Sequence, residues 1–123
     1  MSMKVLITGD RDWTDIETIR AWLSKLQDWG CTIIIEGGAR GADKIAGSEA
    51  RRMGMKVIEV PADWSRYGKG AGLIRNQEML ELKPDLVVAF HSDLPRSKGT
   101  TDMVRRARKE GVEVILVKCH YQQ

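Results

Sequence analysis

The 123-residue chain carries 20 Lys and Arg against 17 Asp and Glu, for a formal net charge of +3, with 42% hydrophobic and 30% charged residues. That is the balance of one ordinary globular domain over 1–123, and it excludes disordered and fibrous chains as well as a densely basic nucleic-acid binder. Apolar runs fall far short of the ~18 residues a membrane span needs, and residues 1–5 form no cleavable signal, so a cytoplasmic protein without membrane partners is expected.

In chain order, residues 4–8 read as the first strand, followed by Gly9-Asp10-Arg11. Thr14 and Glu17 then form a capping-box pattern that predicts a helix stopped by Gly30. Ile16, Ile19, Trp22, Leu23, Leu26 and Trp29 fall in an arc of roughly 140° on that helix, enough to cover one face of a sheet. A second strand over 32–35 runs into Glu36-Gly37-Gly38-Ala39-Arg40-Gly41-Ala42-Asp43, which opens a helix over about 42–53. Its Ala42, Ala46, Gly47 and Ala50 are small enough to let it lie close to the sheet. The third strand, 56–60, leads into an irregular stretch over 61–71 and a helix over about 72–82 that halts before Pro84. The fourth strand, 86–90, precedes a polar segment and a helix from about Thr100 to Gly111. Met103, Val104 and Ala107 face inward there. A fifth strand over 113–117 and an exposed tail of His120, Tyr121, Gln122 and Gln123 close the chain. Mostly continuous apolar runs fit strands buried on both faces, and their alternation with helices implies a parallel, doubly wound α/β sheet of order 3-2-1-4-5.

Twelve glycines against three prolines point to backbone that must approach something closely. The loop Gly37–Asp43 has the make-up of an anion-binding turn: glycines that leave N–H groups open, and a helix N-terminus. It is neither a Walker loop nor a G-x-G-x-x-G turn. In a doubly wound sheet, ligands bind beyond the carboxyl ends of the strands at the switch point. Gly9 and Arg11, Gly37, Gly38, Ala39, Arg40, Gly41 and Asp43, and Lys98, Gly99 and Thr100 would therefore converge there. The 61–72 loop adds Trp64 and Tyr67 as stacking surfaces, Asp63 as an acceptor, and Lys69 with Arg75 as phosphate partners. His91 and His120 have no second ligand at a metal-binding spacing, so no metal is expected. Cys31 and Cys119 form no CxxC pair and are expected to be reduced.

Taken together, Gly9-Asp10-Arg11-Asp12-Trp13, Gly37–Asp43, Pro61-Ala62-Asp63-Trp64, Ile74-Arg75-Asn76 and Gly99-Thr100 before Met103 resemble the YspA-like (cpYpsA-related) branch of the SLOG superfamily. The resemblance implies a Rossmann-like domain for a nucleotide-derived ligand of the ADP-ribose type, held as a sensor or binding module. LONELY GUY-type phosphoribohydrolases in that superfamily carry R-K-x-x-M, which aligns with Arg75 to Met79. They also carry P-G-G-x-G-T-x-x-E, whose catalytic Glu aligns with Met103. A thioether cannot ionise, so a binding module is the leading reading. The alternative is a nucleotide hydrolase using Arg75 with Asp43, Asp63 or Asp102, and Asn76 joins the ligand set beside Arg75. A second alternative is DNA processing of the DprA type through Arg105, Arg106, Arg108 and Lys109. A solvated helix face explains those cations equally well, and nucleic acid is not favoured. Exposed apolar positions on the first helix would support a homodimer.

Overall fold

The computed structural model describes residues 3–119; the tail of His120 to Gln123 lies outside them. Five strands, β1 (Met3–Gly9), β2 (Cys31–Glu36), β3 (Lys56–Glu59), β4 (Leu86–Phe90) and β5 (Val114–Val117), pair in parallel in the order β3-β2-β1-β4-β5. The order and the α/β class are those the alternation of apolar runs predicts. Because side chains alternate along a strand, β1 sends Val5 and Ile7 to one face and Leu6 to the other. All three are fully buried, as are Val87 to Phe90 of β4. Central strands sealed on both sides need helices on both sides.

Helices α1 (Ile16–Asp28) and α2 (Ala42–Arg52) cover the Val5–Ile7 face through Ile19, Leu23, Leu26, Ala42, Ala46 and Ala50. Helices α4 (Ala71–Leu80) and α5 (Lys98–Lys109) cover the other through Met79, Leu80, Met103 and Ala107. Each large side chain removed from water in this way contributes roughly 1.5–3 kcal/mol.

Three details differ from the sequence pattern. Helix α1 is capped by Asp15, whose carboxylate accepts from Thr18 N (3.1 Å), and Glu17 pairs with Arg20 instead of closing a capping box. The cause is Trp13: its indole is buried edge-on against Phe90 and donates to the Asp15 carbonyl (2.8 Å), which sets where the helix begins. The apolar arc of α1 is only partly used, since Ile16 and Trp29 remain exposed. The stretch over 61–71 is mostly helical: Asp63 caps a short α3 (Trp64–Tyr67), and a 3-10 turn over Gly68–Gly70 carries the chain into α4. Both cysteines are free thiols. Among the described residues no helix is long and apolar enough to cross a membrane.

Candidate functional site

Strands β1 and β4 end level with each other at Gly9 and Phe90, so the chain after β1 starts at the carboxyl edge of the sheet. Asp10 fixes its path. Its N–H donates to the Phe90 carbonyl (2.9 Å), and its own carbonyl accepts from Ala42 N (3.1 Å) at the start of α2. The turn after β1 thus rests directly on the turn after β2. Such contact requires Gly41, where a Cβ would strike the Asp10 and Arg11 carbonyls and where φ is +84°. From the far side, Ser97 caps α5 by accepting from Thr100 N (3.1 Å), which brings Lys98 and Gly99 to the same edge.

Between these elements lies a cavity of about 360 Å³. Its wall takes Gly9 and Arg11 from the first turn, Ala39, Arg40 and Asp43 from the second, and Lys98, Gly99 and Thr100 from the third, with Arg75 and Asn76 of α4 below. A second hollow of about 300 Å³ continues from it past Arg11, Ala39, Arg40 and Arg75, which line both. Gly37, Gly38 and Trp64 form its far wall. Trp64 is half exposed, with the Arg11 guanidinium 5.9 Å from its ring centre. One cationic ridge therefore separates a polar chamber from an aromatic one.

The glycine loop is wired differently from a simple phosphate cradle. Its amides turn inward: Gly37 N (3.1 Å) and Ala39 N (3.3 Å) donate to Asp43 Oδ2, and Gly38 N donates to Glu36 Oε1 (2.5 Å). Asp43 is buried at the first turn of α2, and burial raises its carboxyl to about 6 although Arg75 and those amides pull the other way. Glu36 is fully buried at the end of β2, and burial raises it to about 8; the nearby carboxylates of Glu59 and Asp43 add to the rise. Near neutral pH, Glu36 accordingly keeps its proton. Arg75 completes the floor. It is 9% exposed, donates through Nη1 to the Gly37 carbonyl (2.7 Å), and lies so close that a Cβ on Gly37 would overlap its guanidinium. Burial lowers its pKa, against the pull of Asp43.

The remaining candidates sit apart from the chamber wall. Asp63 accepts from Arg66 N (3.1 Å) and Ser65 Oγ (2.9 Å) as a helix cap, and Lys69 is exposed in the 3-10 turn; neither lines the two hollows. Asp102 is buried and bound by Arg106 Nε (2.7 Å), Arg105 Nη2 (3.1 Å) and Asn76 Nδ2 (3.0 Å), outside the chamber. Asn76 also donates to the Gly99 carbonyl (3.1 Å) and so braces α4 against α5. Met103 is fully buried in the core. Conversely, Asp10 and Asp12, which the sequence does not single out as ligand residues, line the chamber beside His91 at the end of the fourth strand. The signal was available for Asp10, because it lies within the first glycine turn.

The fold is shared with solved structures at low sequence identity. DNA processing protein A from Helicobacter pylori, described for its single-stranded DNA binding mode, superposes at a TM-score of 0.72 with 21% identity over 93% of this chain and 64% of that one. DNA processing protein A from Streptococcus pneumoniae gives 0.75 with 20% identity over 93% and 50%. The Moco carrier protein from Chlamydomonas reinhardtii gives 0.70 with 19% identity over 95% and 76%. This chain thus spans roughly half to three quarters of those proteins. In sequence, it is 40% identical over 120 residues to the Gene 61 protein of Mycobacterium phage D29, covering 91% of this chain and 94% of that protein. The model of the YspA, cpYpsA-related SLOG family matches residues 3–67, which carry the first two glycine turns and Trp64. The chain belongs to the YspA, cpYpsA-related SLOG family.

Proposed function

We propose that the two joined hollows bind a nucleotide-derived ligand of the ADP-ribose type and that the domain acts as a binding module for it. The observation that carries this reading is the convergence of three turns, distant in sequence, on one chamber with Arg11, Arg40, Arg75 and Lys98 around it. With Arg96 these make five cations in one crevice, which favour a doubly charged anion such as a diphosphate that guanidinium forks hold in two-point fashion. The amides of Lys98 and Gly99, which make no hydrogen bond among the described residues, supply a helix N-terminus for the same charge. Trp64 offers a flat apolar surface for the base in the neighbouring hollow. The Gly37–Ala39 amides contribute indirectly in this reading. Held by Asp43 and Glu36, they shape the loop that positions Arg40 and Arg75.

A single-stranded DNA role draws support from the fold alone. Of the four cations over 105–109 of α5, Arg105 and Arg106 are already bound to Asp102, which leaves Arg108 and Lys109.

Native mass spectrometry of freshly purified protein tests for a retained nucleotide, and calorimetry against ADP-ribose, ADP and AMP tests binding. Saturable binding that Arg75→Ala weakens by about 100-fold supports the reading, the scale expected for losing a buried charged donor. A folded sample that binds none of the three at millimolar concentration overturns it.

A further inference from the structure

One corner of the chamber has the opposite chemistry to its rim. Asp10 lies there, its backbone held by Phe90 O, Ala42 N and Trp13 N. Its Oδ1 accepts from Asp12 N (2.9 Å), and its Oδ2 lies 3.9 Å from His91 Nε2. His91 is held just as firmly. Its N–H donates to Val117 O (2.9 Å), and its Nδ1 accepts from Asp93 N (2.9 Å). An Nδ1 that accepts leaves the ring proton on Nε2, facing Asp10. The imidazole is 8% exposed, whereas the Asp10 side chain is 32% exposed and opens into the chamber.

The other two carboxylates of the chamber are already engaged. Asp12 is paired with Arg40 (2.9 Å), and Asp43 is buried under the Gly37 and Ala39 amides. Among the described residues, no arginine or lysine lies within ion-pair distance of Asp10. A fixed carboxylate without a cation repels phosphate and accepts hydroxyl hydrogens.

We infer that Asp10 is the specificity residue of this site: it accepts hydroxyl groups of a sugar attached beyond the ligand's diphosphate, its carboxylate held in place by Asp12 N. The inference rests on the nucleotide reading above. With the base on Trp64 and the diphosphate on the arginine ridge that both hollows share, the distal sugar enters the chamber where Asp10 waits. Ligands ending at the diphosphate gain nothing from Asp10 and meet its charge.

Calorimetry with ADP-ribose and with ADP, on the wild type and on Asp10→Asn, tests this. Asparagine keeps an acceptor oxygen for Asp12 N, and a thermal melt reports whether the turn survives. The wild type is expected to prefer ADP-ribose over ADP by about ten-fold or more, the scale of hydrogen bonds to a charged acceptor. Asp10→Asn is expected to reduce that preference to about two-fold or less while leaving ADP binding equal or tighter. If both ligands bind and the variant keeps the wild-type preference, the inference is overturned and the nucleotide reading stands. If neither binds the wild type, both fall.

Discussion

The two edges of the sheet use glycine for different purposes. At the amino edge, Gly54 ends the turn after α2 with φ +83° and nothing within 4 Å of where a Cβ would lie. Its role is to turn the chain. At the carboxyl edge, Gly41 and Gly37 are crowded by other functional loops: Gly41 by the Asp10 and Arg11 carbonyls, Gly37 by the Arg75 guanidinium. Here glycine is the condition for three segments to occupy one place. Crowding around a glycine therefore marks the site better than backbone angle does.

Alanine at each position breaks or sharpens this contrast. Gly41→Ala has the largest expected effect, because it adds a backbone clash to left-handed strain; unfolding in urea should show a loss of about 3 kcal/mol or more. Gly54→Ala carries only the strain and should cost about 1 kcal/mol. Equal losses at the two positions would remove the distinction. Gly37→Ala should act on function more than on folding. Displacing Arg75 from the Gly37 carbonyl is expected to weaken ADP-ribose binding by about ten-fold in calorimetry, with a smaller loss of stability than at Gly41.

The smallest effect concerns pH. Asp43 and Glu36 are raised by burial to about 6 and about 8, so the folded state holds protons that the unfolded chain has already released. Stability is then fully supported below the ordinary carboxylate range. It declines as pH rises from that range up to about 6 for Asp43 and about 8 for Glu36, and is lost above those values. Glu36→Gln mimics the protonated acid, so it should flatten the decline in urea midpoint between about pH 4.5 and pH 8, leaving only the Asp43 contribution below about pH 6. An identical slope in the variant would show that Glu36 does not titrate in that window.

Strand order and the meeting of the three turns were legible because both follow from periodicity and crossover handedness. Contacts that depend on side-chain reach were less so. The inward-turned amides depend on Asp43 Oδ2 lying within reach of both Gly37 and Ala39, a distance that composition does not encode. Asp63 is equally at home as a ligand acceptor or as a helix cap, and the choice turns on whether α3 forms. The shift of the α1 cap from Thr14 to Asp15 reflects a tertiary contact, the burial of Trp13 against Phe90. The Asp10–His91 pair becomes visible only once β1 and β4 are known to end level. Glu36 did leave a trace, as a carboxylate ending a continuous apolar run.

The most direct test of the central claim is an amide and indole NMR titration of the isotopically labelled protein with ADP-ribose. The account predicts saturating shifts confined to the turns at 9–12, 37–43 and 96–101, to residues around Arg75, and to the Trp64 indole. Shifts centred instead on the outer face of α5 at Arg108 and Lys109, or no shifts at millimolar ligand, would contradict it.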